Sequence, residues 1–399
     1  MAIPCTFEVL DDCSNLASWT QAVGAGCAVV ETAEFVRNGT KAFRLTTAAA
    51  GGSPQINLTK NIAHSFKQDD RIGALCYSPS KPVGGTSGLN LFGSDQTNLG
   101  TGGVGRWSRV LGTSGGPGEE VQGWQLFPVR FQDTAVASGA PTIALNYLSL
   151  RAQITATASY ARDLVLDSIV KWNQRPTVII QFDDGWLSSY VEGFGYANPR
   201  GIPLTHFLIP SLMDQGSYMS TAQALEMRAA GDTLGAHGLA TNGWELAPQS
   251  IKVDADALRQ KLGVPIAHGA YPNGGYGQIT GNYAAVQESM NVAGLISGRT
   301  VTKAMTLSGA FSPYTLPATL NLQTGTTLND AKAEIDRCIK LRMTCIIIAH
   351  KLEATAGASQ WAISDWRALI DYVVLLRKQG QLDTLSMEDW FDEKIRFLR

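Results

Sequence analysis

The sequence predicts an all-β sandwich followed by a β/α barrel, on three observations. Residues 1–170 show short apolar runs broken by turn signals and no long amphipathic helix. From Arg175-Pro176 onward, apolar strand-like runs alternate with helical segments. In that second part, acidic, histidine and tyrosine residues stand at the ends of predicted strands, which share one face in such a fold. The boundary is set between 172 and 173, giving domains 1–172 and 173–399.

The first domain rests on runs at 27–30, 42–45, 72–76, 89–92, 124–127, 142–148 and 164–170. Asn38-Gly39, Gly51-Gly52, Gly84-Gly85 and the glycine-rich stretch 100–118 separate them. Short strands with regular turn signals are the pattern of an antiparallel sandwich. The second domain has predicted strands at 177–182, 204–209, 233–236, 266–271, 293–296 and 344–349. Its predicted helices are 220–230, 254–262, 283–291, 329–341 and 364–379. The last is clearest: Trp366, Leu369, Ile370, Val373, Val374 and Leu376 repeat at helical spacing, and Gly380 ends it.

Composition narrows the function. Hydrophobic residues are 44% and charged residues 17%, a globular chain of low charge. The net charge is −2 with neither half basic, so a nucleic-acid surface is not expected. A neutral glycan suits such a surface. No apolar stretch approaches the ~20 residues of a membrane helix, and the segment Met1–Cys5 lacks the pattern of a secretory signal. The expected location is extracellular or on a virion, as for a phage tail-associated enzyme freed by lysis. The six cysteines show no metal-site spacing and read as buried thiols, with disulfides among the N-terminal ones left open.

Four motifs carry chemistry. Gln181-Phe182-Asp183-Asp184-Gly185-Trp186 ends an apolar strand; adjacent carboxylates there either serve a cation and a proton or form a solvated turn. Gly235-Ala236-His237-Gly238 places an imidazole at a strand end, as a ligand or as an ordinary surface or core histidine. Gly269-Ala270-Tyr271-Pro272-Asn273-Gly274 builds a rigid turn that either offers an N–H to an oxyanion or is an ordinary loop. Ile346-Ile347-Ile348-Ala349-His350 ends in a histidine that is either a general acid or a cap. His206 and His268 read as structural. Trp186, Trp244 and Tyr276 offer aromatic faces to sugar rings or pack the core.

Taken together, these motifs resemble the polysaccharide deacetylases with NodB homology, carbohydrate esterase family 4, over about residues 175–399. The segment from Met227 to His237 also resembles the family's helix, turn and second motif, and Ile370–Trp390, ending in Leu385–Trp390, fits its C-terminal part. The resemblance implies a distorted, NodB-type barrel and a metal-dependent hydrolase that removes N- or O-acetyl groups from a cell-surface polysaccharide. It implies Asp183 as general base, Asp184 and His237 as ligands of a divalent metal, Zn2+ by preference, the N–H beside Tyr271 as oxyanion donor, and His350 as general acid. Trp186, Pro272 and Trp244 are the expected substrate contacts. The family's second histidine would fall at Thr241; the expected third ligand is Asn242 by its amide oxygen, if a residue near Ala240 is an insertion, and otherwise water. Ala270 stands where the family often has an arginine that orients the base. An inactive glycan-binding or virion structural protein that keeps the fold is the alternative. The N-terminal part resembles a jelly-roll carbohydrate-binding module, through Asn38–Leu45 and Leu164–Val170, and implies glycan binding or a structural role.

Overall fold

The computed structural model describes residues 6–47, 55–61, 71–79, 87–94, 122–130, 147–154, 162–239, 243–307 and 310–394. It divides into two compact units, Ile3–Gln174 and Arg175–Arg399.

The first unit is built of β1 (Thr6–Asp11), β2 (Thr20–Val23), β3 (Cys27–Thr32), β4 (Ala42–Thr47), β5 (Gln55–Asn61), β6 (Arg71–Ser78), β7 (Ser87–Ser94), β8 (Gly123–Arg130), β9 (Tyr147–Ile154) and β10 (Arg162–Asn173). One sheet runs β3-β4-β10-β6-β8 with β1 also on β10; the other runs β2-β5-β9-β7. Every pairing is antiparallel. The period-2 alternation of β4 shows how sequence sets the core: Phe43 and Leu45 point inward, while Arg44 pairs outward with Asp163. Ile56 and Leu58 of the second sheet meet Phe43, Ile72, Ala74, Phe127 and Leu166 of the first. The glycine-rich stretch 100–118 and Cys5 lie outside the described residues. Among the described residues, Cys13, Cys27, Cys76, Cys338 and Cys345 are thiols in no disulfide.

The second unit is a parallel sheet rolled into a nearly closed barrel. Its strands are β11 (Thr177–Phe182), β12 (Leu204–Leu208), β13 (Thr233–His237), β14 (His268–Ala270), β15 (Ser297–Lys303), β16 (Leu316–Ala318), β17 (Leu320–Leu322) and β18 (Thr344–Ala349). The order is β16-β15-β14-β13-β12-β11-β18-β17. Residues 316–322 close the ring: β16 pairs with β15, and β17 pairs with β18. Thr319 between them donates its N–H to Ile346 O at 2.7 Å. The helical segments are α1 (Gly195–Ala197), α2 (Thr221–Ala229), α3 (Ser250–Leu262), α4 (Tyr283–Val292), α5 (Leu328–Leu341), α6 (Ile363–Lys378) and α7 (Met387–Lys394). Capping boxes start α2 at Ser220 and α5 at Thr327. None of the described helices is long and apolar enough to cross a membrane.

α7 fixes which end of the barrel is free. Met387, Trp390 and Phe391 form one cluster with Ile179, Ile346 and Leu316. The Met387 N–H donates to Thr205 Oγ1 and the Glu388 N–H to Thr233 Oγ1. This helix therefore plugs the end where the strands begin. The strand C-termini are left to carry the polar groups.

The expected strand at 293–296 is corrected. Those residues form the exit from α4, and the strand is Ser297–Lys303. Its buried Ser297, Arg299, Thr300 and Thr302 are polar, so apolar periodicity does not reveal it.

Candidate active site

β11 brings Gln181 and then Asp183 to the barrel rim, on one side of the strand because side chains alternate. The Asp183 N–H donates to Ala349 O at 3.0 Å, which extends the β11–β18 ladder one residue past the strand. Asp184 and Gly185 then take left-handed backbone, φ 71° and φ 79°. For a non-glycine residue that costs about 1–2 kcal/mol, and aspartate tolerates it better than most. The turn sends the two carboxylates in different directions.

Asp184 faces His237. Its Oδ1 lies 3.4 Å from His237 Nε2, and its Oδ2 accepts the Trp186 indole N–H at 3.0 Å. His237 is buried, and its Nδ1 donates to Ala270 O at 2.7 Å. That bond leaves the Nε2 lone pair pointing at Asp184, the arrangement common for metal-binding histidines. Burial pushes the His237 pKa down, but the hydrogen bond to Asp184 and the charges of Asp183 and Asp184 outweigh it, and the net shift is upward. Burial likewise raises Asp184, and His237, His350 and the Trp186 N–H reverse that to a net lowering.

Asp183 is buried and faces the other way. Its Oδ1 accepts from Arg299 Nη2, and its Oδ2 lies 3.8 Å from His350 Nε2. His350 is partly exposed, and its Nδ1 has no partner among the described residues. The four motif residues thus meet at one end of the barrel, as the strand-end reading expects.

The pair Asp184–His237 fits a cation. Two ligands of a tetrahedral ion with bonds of about 2.0–2.1 Å sit about 3.3 Å apart; these two atoms are separated by 3.4 Å. Among the described residues no cluster of three or more His, Cys, Asp or Glu side chains is placed to hold a metal. Asn242, the expected third ligand, lies outside the described residues.

Three expected contacts are corrected. The Tyr271 N–H donates to Arg299 O at 3.0 Å, so it belongs to the β14–β15 ladder, and Pro272 beside it has no N–H to give. The Tyr271 hydroxyl is likewise engaged, donating to Tyr314 O. Trp244 is fully buried; its indole donates to Asp254 Oδ2 at 2.8 Å, and a Cβ on Gly238 would stand 2.4 Å from its Nε1. It packs behind the strands and offers no face to a sugar. Pro272 is also buried, and Asn273 is the exposed member of that turn. Trp186 is partly exposed and stacks on Tyr218, with ring centroids 4.5 Å apart and the Lys351 ammonium 5.4 Å from its ring. The buried His206 contacts Asp232 at 3.1 Å and stacks on Phe182; the buried His268 contacts Ser297 Oγ at 2.8 Å.

Sequence reasoning missed Arg299, Tyr218 and Lys351. Lys351 is the residue after His350, and Arg299 is a lone cation in a run of Ser, Gly and Thr that the apolar pattern skipped.

Fold and rim together define a β/α-barrel domain with a polar site at the strand C-termini. Residues 171–292 match the family model for polysaccharide deacetylase. No protein of curated function matches the chain. Among solved structures, the chain is similar to a polysaccharide deacetylase from Bacillus cereus at 14% identity, over 53% of this chain and 92% of that one, with a TM-score of 0.35. It is also similar to the Xyl-CE4 domain of a multidomain xylanase from the hindgut metagenome of Trinervitermes trinervoides, at 15% identity, 55% and 92% coverage and a TM-score of 0.34. A family 11 carbohydrate-binding module from Clostridium thermocellum is similar at 12% identity, over 41% of this chain and 94% of that one, with a TM-score of 0.28.

Proposed function

We propose that the barrel hydrolyses acetyl groups from an N- or O-acetylated cell-surface polysaccharide. The observation that carries this reading is the convergence of Asp183, Asp184, His237 and His350 at one end of the barrel, with the two carboxylates turned apart. Asp184 Oδ1 and His237 Nε2 would hold a divalent cation, Zn2+ by donor type, with Asn242 as the third ligand. Bound there, it would polarise the acetyl carbonyl and make water more acidic.

The chain's own groups do the rest. Asp183 takes a proton from the attacking water as its oxygen bonds to the acetyl carbon. The C–N or C–O bond then breaks, and His350, whose Nε2 lies 3.8 Å from Asp183 Oδ2, gives the departing amine or alcohol its proton. Trp186 and Tyr218 form an aromatic wall beside Asp184 for a sugar ring. The sandwich attaches the chain to its polymer outside the cell or on a virion.

The test is acetate release from acetylated chitin, xylan and peptidoglycan fragments by the zinc-loaded chain. Release that disappears in Asp183→Asn supports the reading, and no release from any of them counts against it. The second reading, a glycan-binding protein without activity, is favoured by the Tyr271 N–H, which is committed to the sheet. It predicts glycan binding with no turnover, unchanged in Asp183→Asn.

A further inference from the structure

We propose that Arg299 is the positioning residue for the base Asp183, filling from β15 the role that the family gives to an arginine at position 270. The inference rests on the proposed deacetylase reading.

The register places the substitute. Ala270 and Arg299 are direct partners in the parallel β14–β15 ladder. Partners in such a ladder point to the same side, about 4.8 Å apart. An arginine moved from 270 to 299 therefore starts at the same level and on the same face, one strand further round. Ala270 is fully buried, and its methyl group offers no donor to Asp183. β15 and β11 are separated by three strands in the sheet, so Arg299 reaches Asp183 across the barrel interior. Its guanidinium passes over Phe207 of β12 at 5.5 Å.

The contacts match a holding function. Arg299 is fully buried, and a buried charge is tolerated when it is paired and hydrogen-bonded. Nη2 donates to Asp183 Oδ1, and Nε donates to Gln181 Oε1 at 3.1 Å. Gln181 and Asp183 are two apart on β11, so one fork grips the base and the residue below it. The Asp183 carboxylate is thereby fixed with Oδ1 on the arginine and Oδ2 turned to His350. The same residue's carbonyl holds the Tyr271 N–H, so residue 299 anchors both the base and the neighbouring turn. Only the first of these depends on the side chain.

The experiment compares Arg299→Lys, Arg299→Met and the relocated pair Ala270→Arg with Arg299→Ala in the zinc-loaded full chain. In Arg299→Met, kcat should fall about a hundredfold with KM and zinc content unchanged, as for a reacting group displaced by about 1 Å. Added guanidinium should restore part of it. Arg299→Lys keeps the charge and the fold but cannot span Gln181 and Asp183 together, and should also lose kcat. The relocated pair should regain activity over Arg299→Ala. A crystal structure of Arg299→Lys should show the Asp183 carboxylate turned away from His350. Wild-type kcat in Arg299→Lys and Arg299→Met overturns the proposal, and so does an Asp183 that keeps its place in that crystal. If the wild type releases no acetate from any substrate, the deacetylase reading fails; the crystal then decides the positioning role by itself.

Discussion

At the residue scale, two kinds of buried histidine are separated by what surrounds them. His237 has carboxylates beside it and its pKa is shifted up; His268 has a hydroxyl beside it, and burial takes it down to about 4. For His268 the unfolded chain binds the proton more readily than the folded one between about pH 6.5 and about pH 4. Stability is full above that window and falls as the pH drops through it, by about 3 kcal/mol in all. Denaturant titrations across this range should show the decline, and His268→Asn should flatten it; an equal slope in the variant would place the acid sensitivity elsewhere. Asp184→Asn and His237→Ala should each lower zinc affinity by tenfold or more while the fold is kept, read by calorimetry against the wild type. The motif residues were legible because each follows an apolar strand, which marks a rim position. Arg299 was not, because its partners Gln181 and Asp183 lie more than a hundred residues away.

At the element scale, the sequence revealed strands wherever both faces are apolar, as in Cys345-Ile346-Ile347-Ile348. It hid strands whose inward face is polar or whose length is short. β15 is buried through hydrogen bonds, and β16 and β17 have three residues each. Their pairing is set by Thr319 and by the ends of a sheet that must meet, which no local pattern encodes. α7 is not among the helices expected from the sequence, and its place inside the barrel end is a tertiary fact. Trp390 is fully buried there, with its indole N–H on Thr344 Oγ1. Trp390→Ala should cost about 3–5 kcal/mol in equilibrium unfolding. Ser220→Ala, which removes the side-chain half of the α2 capping box, should cost about 1 kcal/mol. Equal losses in the two variants would contradict the plug assigned to α7.

At the scale of the whole molecule, the change from antiparallel pairing in Ile3–Gln174 to parallel pairing in Arg175–Arg399 follows the change in sequence pattern at Arg175-Pro176. The barrel gives the rim its chemistry by closing: Arg299 meets Asp183 across the lumen, and Asp184 meets His237 two strands away. Asp183 and Asp184 thus face separate partners although they are adjacent in the chain, and the proposed function gives them separate tasks. That division of labour is the central claim, and acetate release by the zinc-loaded chain tests it most directly. Wild-type protein should release acetate from at least one acetylated glycan. Asp183→Asn should retain zinc and lose at least about a hundredfold in kcat, whereas Asp184→Asn should lose the zinc as well. An Asp183→Asn variant that turns over at the wild-type rate, or that loses its zinc as Asp184→Asn does, would contradict the assignment.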